Sequence, residues 1–242
     1  MTSDASNLPE HVPAPLIGGR VAATFDDPVA ASLRGFGPLG LLAILLIVLT
    51  SVFKPLSAIL VLVWAWRSHT PWREIGYVRP KSWLGSLAVG ILFGCALKLL
   101  MKVIVMPLLW APAINPAYHY IAGNKAALPG MVFTMIVGAG FAEETLFRGY
   151  LFERLGKLFG TGAGAKVSIV LLGSALFALG HYSNLGLPGV EQAMVTGLVF
   201  GTIFSITGRI WMVMCAHAAF DLAAVAIIYW NLEATVAHLV FK

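Results

Sequence analysis

Six apolar runs, at about residues 38–66, 84–109, 128–153, 166–181, 190–207 and 210–230, limit what this chain can fold into more than any other feature. A bilayer core takes a helix of about 20 mostly apolar residues. Only helices and closed barrels satisfy every backbone group in lipid, and the strict alternation of a barrel strand is absent. The reading is an all-α, polytopic transmembrane helix bundle. Lys54-Pro55 interrupts the first run, which is either one helix kinked at the proline or a hairpin of two short helices. Six or seven spans are therefore expected. Composition agrees, with 59% hydrophobic and 11% charged residues, against roughly 45–50% and about 25% in soluble domains.

The chain divides into a mobile N-terminal segment (1–35), N-terminal transmembrane helices (36–127), a core (128–230) and a C-terminal tail (231–242). The first residues lack the basic and apolar regions of a signal peptide, so the first hydrophobic helix acts as an uncleaved membrane signal. Cys95 and Cys215 lie in apolar stretches and read as packing residues. The net charge of +5 does not argue for nucleic acid, because the basic residues gather in short loops. Arg67, Arg73, Arg79 and Lys81 in one loop, and Arg154, Lys157 and Lys166 in another, put both loops on the cytoplasmic side. The expected location is a cell membrane, crossed several times. Gly197 and Gly201 form a small-xxx-small pair for close helix approach. Lys98 and Lys102 are expected to snorkel, and Glu153 and Arg154 to close their helix at the solvated interface.

Within these runs three segments carry groups that lipid excludes. AEETLFRGYLFERL holds Glu143, Glu144 and Arg148; SALFALGHYSN holds His181; IWMVMCAHAAFD holds His217 and Asp221. A charge in mid-membrane costs at least about 2.5–3.5 kcal/mol. Adjacent residues on a helix diverge by about 100°, so Glu143 and Glu144 are expected to serve different partners. Glu144 pairs with Arg148 at i,i+4, which leaves Glu143 for another group. At about 1.5 Å per residue, Glu143, His217 and His181 lie about 15, 12 and 17–22 Å from the cytoplasmic ends of their helices. One polar cluster inside the membrane is predicted. A carboxylate beside two imidazoles can activate water and stabilise an oxyanion. Alternatively His181, His217, Asp221 and Glu143 could hold a divalent metal such as zinc. Buried Glu, His and Arg also serve proton-coupled transporters, although no inverted repeat is evident. A non-catalytic immunity scaffold is the third alternative.

The order EExxxR (Glu143 to Arg148), FxxxH (Phe177 to His181) and HxxxD (His217 to Asp221) resembles the CAAX-protease and bacteriocin-processing family of intramembrane endopeptidases. The likeness covers roughly residues 128–225 and is faint upstream, at REIGYVRP. It implies a type II CAAX-prenyl-endopeptidase-like core with its active site within the membrane, acting on membrane-associated peptides or proteins. It further implies that Glu143 activates water with help from His181. His217 and Asp221 would stabilise the oxyanion or bind metal, and Glu144 and Arg148 would support them. The family's last motif reads HxxxN or HxxxD, and this chain carries the aspartate, Asp221. An ionised Asp221 cannot donate a hydrogen bond, so it suits a metal, or the orientation of His217, better than an oxyanion. The short chain and small loops fit a bacterial inner membrane.

Overall fold

A computed structural model describes residues 27–241, and among them there is no strand. Most of the expected mobile segment falls outside the described residues, but its last part, Pro28–Arg34, forms helix α1. Helices α2 (Pro38–Leu49) and α3 (Lys54–Arg67) follow as a hairpin. The hairpin reading of the first run is thus the one observed. Then come α4 (Trp83–Leu108), α5 (Lys125–Phe159), α6 (Ala163–Leu179), α7 (Tyr182–Thr207), α8 (Trp211–Tyr229) and a short α9 (Glu233–Ala237).

Helices α4, α5, α7 and α8 are long and apolar enough to cross a membrane, and α1 with α2, bent by 56°, is either a broken fifth span or part of a re-entrant segment. The expected six or seven is larger because α3, with 14 residues, and α6, with 17, fall short of a full crossing length. The protein is a multi-pass membrane protein. Leu41, Leu42, Leu45 and Leu46 of α2 point outward, as lipid-facing side chains do.

Small residues set the packing. A Cβ on Gly94 of α4 would collide with the Ala216 carbonyl of α8, so these two helices run in close contact. A Cβ on Gly197 would stand 3.0 Å from Ser174 Cβ, and one on Gly201 3.2 Å from Phe152. The small-xxx-small pair therefore seats α7 against α6 and α5. Helix α7 is broken at Gly186, whose φ of 61° and ψ of −158° lie outside the helical region. Residues 182–189 thus form one helical turn followed by this kink.

The loop before α4 ties the bundle together. Gly76 takes a left-handed φ of 80°, and its carbonyl accepts from Ile210 N at 3.0 Å. The Tyr77 hydroxyl bonds Thr145 on α5 at 2.7 Å. Glu153 and Arg154, expected in solvent, are 8% and 4% exposed. Arg154 bonds both Glu153 oxygens and lies over the Trp64 ring, so α3 shields the pair from water.

Asp27 caps α1, accepting from Val29 N and Ala30 N at 3.0 Å, and also takes Arg67 at 2.6 Å. The Arg67 bond, then the cap bond from Ala30, holds its carboxyl down from an ordinary 3.8 to about 2. A depressed carboxyl contributes stability that is complete above its unfolded pKa and lost as pH falls through the folded one. Amide protection over Pro28–Arg34, followed by hydrogen exchange, should hold at about pH 5 and fall as pH drops from 3.8 towards about 2. Asp27→Asn keeps the cap and should flatten that dependence; an unchanged profile would contradict the assignment.

Candidate active site

The site is built on an unusual stretch of α5. From Thr134 to Glu143, and again from Thr145 to Leu151, the backbone bonds i to i+5 rather than i to i+4. Such π-type turns are rare and tend to occur at functional sites. They hold more than 3.6 residues, so neighbouring side chains diverge by less than the usual 100°. Gly138, Ala139 and Gly140 lie in the widened part. A Cβ on Gly140 would come within 2.8 Å of Ala218, so α8 passes directly alongside.

Both glutamates consequently turn into the bundle, 5% and 0% exposed. They keep different cationic partners, Lys54 for Glu143 and Arg148 for Glu144, but both also stand beside one imidazole. Glu144 Oε1 bonds His217 Nδ1 at 2.6 Å and accepts from Arg148 at 2.7 Å. An oxygen that accepts from arginine is an acceptor here too, so Nδ1 carries the hydrogen. The other nitrogen, His217 Nε2, stands 3.7 Å from Glu143 Oε2 and 3.7 Å from Asp221 Oδ2. The expected Glu144–Arg148 pair is present, and the Arg148 guanidinium lies 4.7 Å from the centre of the Phe177 ring. A buried ion pair needs such further contacts to offset desolvation.

Glu143 Oε1 pairs with Lys54 at the start of α3. Its Oε2 is buried with no hydrogen-bond partner among the described residues. His181 follows the end of α6, where its Nδ1 bonds the Phe177 carbonyl at 2.8 Å. A carbonyl can only accept, so Nδ1 carries the hydrogen and Nε2 is left as an acceptor. The Phe177 ring touches both imidazoles, with centroids 4.7 Å from His181 and 5.8 Å from His217.

Glu143, His181, His217 and Asp221 all line one cavity of about 440 Å³, together with Lys54 and Lys98. That volume lies in the range of ligand-binding pockets. The sequence-predicted residues thus converge, Glu144 and Arg148 standing behind the cavity wall. Lys98 does not snorkel: it is 7% exposed, bonds Gln192 at 2.9 Å and lies over the Phe220 ring. Lys54 was read from sequence only as a helix break. Its signal was its position, since a lysine within an apolar run needs a partner as much as a glutamate does.

Zinc is the alternative use of His181, His217, Asp221 and Glu143. Among the described residues no three His, Cys, Asp or Glu side chains are grouped to hold a metal ion. Glu143 Oε1 is occupied by the Lys54 ammonium, a positive charge that opposes a second cation beside it. These residues, as arranged, do not fit a metal.

Residues 125–223 match the family model described as Type II CAAX prenyl endopeptidase Rce1-like. No curated protein and no solved structure matches the chain. The match takes in Glu143, Glu144, Arg148, His181, His217 and Asp221, and leaves out Lys54 and the α2–α3 hairpin.

Proposed function

We propose, for a chain whose residues 125–223 match the Type II CAAX prenyl endopeptidase Rce1-like family model, that it hydrolyses peptide bonds of membrane-associated peptides or proteins within the bilayer. The observation that carries this reading is the buried Oε2 of Glu143, unpartnered and facing His217 Nε2 in a cavity that also holds His181.

Glu143 takes a proton from water as the water oxygen attacks the scissile carbonyl carbon. His181 Nε2 accepts the second water hydrogen and holds the nucleophile in place. The developing oxyanion is stabilised by His217, which donates through Nε2 when both of its nitrogens are protonated. Glu144 and Asp221 fix the orientation of that ring, consistent with the carboxylate of Asp221 being an acceptor. Collapse of the tetrahedral intermediate breaks the C–N bond, and Glu143 returns its proton to the amine leaving group. The remaining water proton leaves the new carboxyl group for the amine, so the products are a carboxylate and an ammonium, and no step needs a metal. The basic loops 67–81 and 154–166 support an opening towards the cytoplasm.

The test is cleavage of membrane-anchored peptides, prenylated and not, by the purified protein in liposomes made with ¹⁸O-water. Water activation predicts one ¹⁸O in the new C-terminal carboxylate after a single turnover, and none on Glu143. No cleavage of any peptide would overturn the hydrolase reading. Label on Glu143 would make it a nucleophile instead of a base.

A further inference from the structure

We infer that Lys54 is a positioning residue of this site, delivered by a hairpin that enters the membrane and turns back inside it. This inference rests on the hydrolase reading for its chemistry, but its structural part does not.

Three observations carry it. First, the hairpin arms are short. Helices α2 and α3 have 12 and 14 residues, so they reach about 18 and 21 Å, well under the roughly 30 Å of the hydrocarbon core.

Second, the turn between them is apolar and self-satisfied. Leu49, Val52 and Phe53 are 64%, 81% and 70% exposed, which suits lipid and not water. Phe53 N bonds the Thr50 carbonyl at 2.9 Å, and Leu56 N bonds the Phe53 carbonyl at 2.8 Å. The side chains of Thr50 and Ser57 bond the carbonyls of Leu46 and Lys54. A turn inside a bilayer must bond its polar groups internally in this way.

Third, the residue at the end of that turn meets the proposed base. Lys54 opens α3, with Pro55 in the first turn where proline is tolerated, and its ammonium pairs with Glu143 Oε1. Contacts of Val61, Trp64 and Ala65 with Leu146 and Tyr150 fix α3 against α5.

The division of labour on Glu143 follows from this geometry. Lys54 holds Oε1 and balances the carboxylate charge. Oε2, turned towards His217, is left to take the proton. Without the lysine the carboxylate can rotate and either oxygen can face the cavity, so fewer encounters begin from the reactive geometry.

Lys54→Met should lower kcat by about 10²-fold, the loss expected for a misplaced catalytic group, with KM little changed. Lys54→Arg should recover part of it. Lys54→Cys, in a background with Cys95 and Cys215 replaced by Ala, should be inactive and regain activity when 2-bromoethylamine rebuilds the ammonium. Recovery by a restored charge separates positioning from mere packing. Activity of Lys54→Met within twofold of the parent would overturn the role, as would a loss that neither Arg nor the tethered amine relieves. The hairpin is tested without any substrate: Val52→Cys in liposomes should resist membrane-impermeant maleimides from both sides and be quenched by brominated lipid once labelled in detergent. Ready labelling from one aqueous side would overturn the re-entrant turn, whether or not the protein cleaves peptides.

Discussion

Replacing Glu143 by Gln should lower kcat for peptide cleavage by about 10²–10⁴-fold, the range for loss of a general base, with KM changed only a few-fold. Gln has nearly the same shape, so the cavity keeps its volume and the helix its packing. What disappears is the ability of the buried Oε2 to take a proton. Since Oε2 has no hydrogen-bond partner among the described residues, the substitution strands no donor around that atom. Lys54 loses its carboxylate, but its side chain is 43% exposed and can reorient. The variant should therefore fold, elute as the parent does and unfold at a similar temperature. A fall in kcat alone marks an interaction needed in the transition state and not in the bound substrate. Undiminished cleavage by a folded Glu143→Gln protein would remove Glu143 from the reaction.

The bundle, and the grouping of most residues of the candidate site, were legible in the sequence. Long apolar runs leave little choice but helices, and charges inside them are costly enough that each one marks a contact. That logic found Glu143, Glu144, Arg148, His181, His217 and Asp221, which gather at one cavity or directly behind it. What it could not reach is the departure from an ideal helix. The i to i+5 bonding of Thr134–Leu151 has no sharp sequence signature, and it turns both glutamates towards His217. Tertiary partners were equally hidden. Glu153 and Arg154 sit near a helix end, so they read as solvated; only the fold puts Trp64 and Tyr150 beside Arg154. Lys54 was visible as a residue, but its partner lies 89 positions further along the chain (143 − 54), and no local pattern links the two.

Removing one side of the Glu144–Arg148 pair should be the most damaging change to stability. Glu144 is fully buried and Arg148 is 2% exposed. Breaking a buried pair by deleting one partner typically costs about 3–5 kcal/mol, because the other charge is left without compensation. Arg148→Met should show a loss of that size in denaturant unfolding of the detergent-solubilised protein. The double variant Glu144→Gln with Arg148→Met leaves no unpaired charge and should regain much of it; strictly additive losses would show that the pair is not coupled. Activity then separates packing from orientation. Glu144→Gln keeps a side-chain oxygen that can accept from His217 Nδ1, so the ring still turns Nε2 to the cavity, although the charge that favours its doubly protonated form is gone. Glu144→Ala removes that acceptor, and the ring is free to flip or to move its hydrogen. The Ala variant should therefore lose far more activity than the Gln variant, and ¹⁵N spectra of labelled histidine should show a change of tautomer in the Ala variant alone. Equal activity in the two would mean that Glu144 acts on His217 through its charge, and not by selecting which nitrogen carries the hydrogen.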